Sequence, residues 1–282
     1  MVPAMKMTAR QFRAWKNKSI TLVGMSGVGK THLSAHLRKD DWFHYSADYR
    51  IGTRYLGEPI LDQIKSQAMQ VEFLRDLLRS DSIYIASNIT VDNLGPVLGF
   101  LGKLGDPARG GLDLAEFKRR QVMYHDAEVA AMKDVPEFIR KAHDIYGYRH
   151  FVNDAAGSLC ELDDPEVLRV LDEHTLILYI EATAKNERDL RRRAKEDPKP
   201  LLYREEFLEA ELAVYLKEKR LRKVAQIEPD DFVRWIFPRL FASRIPRYEA
   251  IARPYGYTIS SDLIADVVTE EEFLRRVERA LD

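Results

Sequence analysis

A glycine, four residues, then glycine, lysine and threonine: Gly24, Gly29, Lys30 and Thr31 in "LVGMSGVGKTHLS" (22–34) have the spacing of a phosphate-binding loop. Each residue type has a reason. Gly24, Gly27 and Gly29 permit the backbone turns that aim N–H groups inward. Met25, Ser26 and Val28 supply the peptide units between them, and His32 follows in the next turn. Lys30 is expected to neutralise the outer phosphates and Thr31 to ligate Mg²⁺.

Such a loop works with a carboxylate near the metal. Three apolar runs are candidates to present one. Ile83–Ser87 ends without an acid. Thr175–Thr183 carries Glu181 within its length, where alternation sets its direction. Tyr148–Asp154 ends on Asp154, and parallel α/β sheets bind ligands at the carboxyl ends of their strands. Asp154 is therefore the expected metal-side acid; its other use is a solvent-facing turn. A further acid, Asp48, closes the next strand, read within Phe43–Gly52, and follows Lys30 at a distance that leaves room for one helix and a turn. It is expected to hold an attacking hydroxyl or accept its proton; the competing use is a helix N-cap.

The elements that must position these groups are legible around them. Ser19–Val23 is a short β-rich run suited to a buried parallel strand. After the loop, Leu33 and Leu37 fall on one face of a helix, whose N-terminus adds partial positive charge at the phosphates. Leu114–Met132 reads as a helix carrying the basic patch Lys118, Arg119 and Arg120, suited to a solvated face or an anionic acceptor. Tyr203–Lys223 places Leu208, Leu212 and Tyr215 on one face of a long amphipathic helix, for the core or a second subunit. Phe232–Phe241 is aromatic and reads as core. Asp92–Leu114 mixes glycine and proline with large apolar residues, as a mobile packed loop or a core plug does.

The bulk numbers exclude some classes. The 282 residues are 45% apolar and 32% charged, which suits a soluble globular chain with one enlarged domain or two small ones. A formal net charge of −1 offers no global field for polymeric nucleic acid or a membrane surface. The lone Cys160 makes no internal disulfide or zinc cluster and fits a reducing cytosol, so a cytoplasmic location is expected. The basic start, residues 1–18, lacks the apolar core of a signal peptide. No run reaches the roughly 18 apolar residues of a membrane span.

With these pieces in place, the chain resembles the shikimate kinase branch of the P-loop small-molecule kinases, with gluconate-kinase-like enzymes as neighbours. The resemblance is carried by "GMSGVGKTHL", "YSADYRIG", "FVNDAAGSL", "ILYIEATAKNERDLRRRAKEDPKPLL" and "RIPRYEAIA", in that order, followed by "YGYTISSD". It implies a parallel sheet of about five strands with helices on both faces, in one domain over 1–282. A substrate-side helical region would occupy 55–147, and a lid with a helical insertion 185–243. It also implies MgATP as phosphoryl donor and a hydroxyl acceptor. Asp48 and Arg244 match acceptor-binding positions. Gly157 falls in the turn at the substrate. Arg192 and Lys199 take the two lid positions, with Arg192 expected over the phosphates.

The departures are specific. A triple-glycine turn is Ala155-Ala156-Gly157 here, and a Phe-Arg substrate motif is Phe117-Lys118. Lysine does not replace a bidentate guanidinium on a carboxylate. Two insertions, roughly Tyr55–Gly111 and Tyr203–Arg239, enlarge the chain. Shikimate is therefore not the expected acceptor. The alternatives are a nucleotide-driven switch acting on a protein partner and a kinase for a nucleotide.

Overall fold

The computed structural model describes residues 6–281, so the first five residues of the basic start lie outside the described residues. Five strands form one sheet: β1 (Ser19–Val23), β2 (Trp42–Ser46), β3 (His150–Asp154), β4 (Leu176–Glu181) and β5 (Gly256–Ser260). Their order is β2-β3-β1-β4-β5, and every neighbouring pair is parallel. This is the expected α/β class, a parallel sheet of five strands with helices on both faces. Every residue of β1 and β3 is buried, as the central strands of a covered parallel sheet must be.

Helices precede and follow the strands. In the first third lie α1 (Ala9–Ala14), α2 (Lys30–Leu37), α3 (Ala47–Arg50), α4 (Gly57–Ala68), α5 (Glu72–Arg79) and α6 (Gly95–Leu101). The middle holds α7 (Leu114–Lys133), α8 (Val135–Asp144) and α9 (Pro165–His174). The remainder is α10 (Ala184–Glu196), α11 (Glu205–Glu218), α12 (Pro229–Tyr255) and α13 (Glu270–Leu281). Both sheet faces are covered. Tyr45 packs on Phe138 of α8, while its chain neighbours in β2 point the other way and Trp42 meets Phe273 of α13.

The apolar stripe of α11 is used within the chain. Leu208, Leu212 and Tyr215 are buried with Phe117, Phe232 and Leu240 in a second apolar cluster, beside the main core around the sheet.

Two local expectations are corrected. Ile83–Ser87 is no strand: it lies outside regular structure, with Tyr84 89% exposed. A short apolar run is a strand only when a neighbour accepts its hydrogen bonds, and the sheet is complete without it. The glycine-rich segment is neither a bare loop nor only a plug. It contains α6, whose Val97, Phe100 and Leu101 are buried. Among the described residues no helix is long and apolar enough to cross a membrane.

Candidate functional site

The glycine loop leaves β1 at the centre of the sheet and enters α2. Gly24 has φ 143°, and a Cβ there would stand 2.6 Å from the Ile180 carbonyl oxygen. Gly29, at φ 105°, caps α2. Lys30 folds back over the loop, its Nζ donating to the carbonyls of Gly24 (2.7 Å) and Met25 (3.1 Å). Burial lowers its pKa, opposed by the charges of Asp154, Asp48 and Glu128. Met25 and Val28 are buried, whereas Ser26, Gly27, Thr31 and His32 are exposed. The loop therefore anchors on its apolar residues and presents its outer edge.

Asp154 is the last residue of β3 and is buried. The register sets Leu22 of β1 on one side of it and Ser46 of β2 on the other. His44 Nε2 lies 3.5 Å from Asp154 Oδ2. Glu181, the weighed alternative, is exposed at the end of β4. Among the described residues no three His, Cys, Asp or Glu converge on a metal position. Thr31 and Asp154 are two oxygen donors, which suits Mg²⁺, whose other positions water and phosphate fill.

Asp48 sits in α3, just past β2, rather than at the strand end. The N-cap there is Ser46, whose hydroxyl accepts the Tyr49 N–H at 3.3 Å. The cap use weighed for Asp48 thus belongs to Ser46. Asp48 Oδ1 accepts the Tyr124 hydroxyl at 2.9 Å. Burial raises the Asp48 pKa and the Asp154 charge raises it further, while Tyr124 and Lys30 pull it back.

Tyr124 and Glu128 were missed in the sequence. They lie on the buried stripe Phe117–Gln121–Tyr124–Glu128 of α7. A glutamate in phase with that stripe was the available signal. Glu128 Oε2 accepts the Ser158 hydroxyl at 2.5 Å, and its Oε1 has no hydrogen-bond partner. Burial, with Asp48's charge adding, pushes its pKa up to about 7.

Arg244, on α12, is buried, with each guanidinium nitrogen engaged. Nε donates to Glu161 Oε1 (2.7 Å), Nη1 to the Gly157 carbonyl (2.8 Å) and Nη2 to the Leu202 carbonyl (2.7 Å). Gly157 abuts the phosphate loop so closely that an added Cβ would lie 2.6 Å from Ser26 N. Ser26, Asp48, Tyr124, Gly157, Ser158 and Arg244 line one cavity.

Two expected residues stand elsewhere. Lys118 does not line that cavity. It projects toward α11, paired with Glu205 (2.8 Å) and Glu209 (2.5 Å). Its neighbour Arg119 pairs with Glu116, and Arg120 is buried against the Phe100 carbonyl. Arg192 also turns away, pairing with Asp189 at 3.1 Å. Arg193 instead reaches the Gly27 carbonyl at 3.4 Å. The reason is helical phase: Leu190 packs on Gly27, and Arg193 is three residues on, along the same face. Lys199 lines a neighbouring cleft with Ser26, Gly27 and Arg193. Ser261, beyond β5, hydrogen-bonds Thr183 and Asn186 and ties that loop to the start of α10. Cys160 is buried, its thiol pushed up to about 12 by burial, which leaves it inert.

No family model matches the chain, and no curated protein does. Among solved structures it is similar to a crystal structure of shikimate kinase from Bacteroides thetaiotaomicron. The identity is 15%, the TM-score is 0.44, and the match covers 94% of this chain and 98% of that one.

Proposed function

We propose that the chain transfers a phosphoryl group from MgATP to a hydroxyl of a small molecule other than shikimate. The observation that carries this reading is the shared cavity: Ser26 of the phosphate loop and the carboxylate Asp48 face the same space. A hydroxyl held at Asp48 would therefore lie beside whatever the loop grips, which is the proximity that direct transfer needs. A switch that hydrolyses nucleotide has no such need of a cavity that brings an acid and the loop together around a second molecule.

Each residue has a part in this reading. The loop peptides 24–29 and the start of α2 hold phosphate oxygens, with Lys30 released from its carbonyl partners to neutralise their charge. Thr31 and Asp154 serve Mg²⁺. The bound MgATP supplies the electrophilic γ-phosphoryl group. Asp48 orients the acceptor hydroxyl and takes its proton, helped by a raised pKa that brings it nearer neutrality. Arg193 and Lys199 stand over the loop from the lid side. Gly157 and Arg244 shape the acceptor end.

The test is ADP release from MgATP with and without a pooled metabolite extract. Release that depends on the extract, and disappears in Asp48→Asn while nucleotide binding persists, supports the proposal. Release indifferent to every extract, yet stimulated by a protein fraction, would replace it with a switch.

A further inference from the structure

Among the described residues Arg244 is the cation that lines the acceptor-side cavity, and each of its nitrogens is already engaged. Arg244 shares Glu161 with Arg204, whose Nε donates to Oε2 at 2.8 Å. The Glu161 side chain is only 1% exposed. Three of the five Arg244 N–H donors are thus committed to a buried carboxylate and two backbone carbonyls, and a ligand carboxylate seeking a bidentate grip would compete with them. Breaking a buried ion pair leaves an uncompensated charge and is strongly unfavourable.

The carboxylates nearby repel an anion to the extent that they are ionised. Asp48 faces the cavity, and Glu128 stands one hydroxyl behind it, through Ser158. Lys30 is the opposing cation, but it is bound to the loop carbonyls and serves the phosphates. The remaining wall is apolar, contributed by Val97, Leu98 and Leu101 of α6, by Leu94 just before it, and by Leu201 and Leu202. Lys118, the other cation expected to meet an acidic acceptor, is held by two glutamates outside this cavity.

Resting on the proposed phosphoryl transfer, we infer that the acceptor is a hydroxyl compound with an apolar body and no anionic group, uncharged or cationic. Its hydroxyl meets Asp48 and its body lies against α6. The Arg244–Glu161 pair acts as a specificity device: it keeps a guanidinium at the cavity while tying three of its N–H donors to groups of the chain itself.

The experiment uses matched triads of small cyclic alcohols, such as cyclohexanol bearing a carboxylate, its methyl ester or an aminomethyl group at the 4-position. Binding to the full chain is read by ligand-observed NMR. Leu98→Trp, which fills the cavity, identifies the signals that belong to it, and MgATP binding shows that this variant is folded. The esters and amines are expected to bind and to be lost in Leu98→Trp, with the acids weaker by about tenfold or more. In Glu161→Gln the acids should recover by about the same factor; if that variant does not fold, the wild-type comparison decides alone. Acids that bind in the cavity as well as their esters overturn the inference, as do a folded Glu161→Gln without recovery and a panel in which no signal is lost in Leu98→Trp. Such a result leaves acceptor-dependent ADP release untouched. Conversely, absence of that release with the charge preference intact overturns the transfer reading and leaves the cavity's selectivity standing.

Discussion

Tyr124 donates its hydroxyl hydrogen to Asp48 Oδ1 across 2.9 Å, joining the middle of α7 to the turn that follows β2. That bond favours the ionised carboxylate against the burial and the neighbouring Asp154 charge that oppose it. Tyr124→Phe should therefore raise the Asp48 pKa further. A general base must be ionised, so activity is lost as pH falls through its pKa. The acid limb of the kcat/KM profile should move to higher pH, with near wild-type rates on the alkaline side. An unmoved limb would falsify the role given to this bond.

Glu128 predicts a pH dependence of stability. In the folded chain it holds its proton up to about pH 7, against an ordinary value of 4.5. Between those values the unfolded chain releases the proton and the folded chain keeps it. Stability contributed by this group is thus full at the acid end, falls as pH rises across the window, and levels off above it. The total change is on the order of 3 kcal/mol. Glu128→Gln should remove the slope. Urea unfolding of both proteins at pH 5 and pH 8 measures the difference, and parallel curves would refute it.

The lid arginines separate by turnover. Arg193 reaches the phosphate loop, and Arg192 is tied to Asp189 in solvent. Arg193→Ala should lower kcat by on the order of 10²-fold, as loss of a preorganised donor does. Arg192→Ala should stay within about twofold, as an exposed ion pair warrants. The reverse ranking under saturating MgATP would reassign the lid cation.

Gly157→Ala tests how the loop after β3 supports the phosphate cradle. The new methyl would press on Ser26 N at 2.6 Å. Overpacking of this kind costs about 1–3 kcal/mol. Because the pressure falls on the phosphate loop, most of it should appear as weaker MgATP binding, by about tenfold or more. Calorimetric titration of the folded variant reads it, and unchanged affinity would place the strain elsewhere.

Much of this arrangement is legible along the chain. Ser19–Val23 matches β1 residue for residue, because a β-branched apolar run ending in the glycine loop has few other places to go. The helix read over Leu114–Met132 is α7, and the stripe Leu208–Leu212–Tyr215 is buried as its period requires. Asp154 ends β3 because a polar pair closes an apolar run there. Ile83–Ser87 has the same local look and becomes no strand, since strand identity is conferred by a partner.

Residue identity and spacing sufficed for the glycine loop, the sheet class and Asp154 at the end of β3, because those features are local: a glycine's torsional freedom and a run's hydrophobicity belong to a few adjacent residues. Which side chains share the cavity is not local. Lys118 left it for two glutamates on α11, Arg192 yielded to Arg193 by a hundred-degree turn of α10, and Tyr124 and Ser158 entered it from α7 and the loop after β3, with Glu128 behind Ser158. Charges choose their partners only after the helices have docked, so the electrostatics of the site exist only in the folded chain.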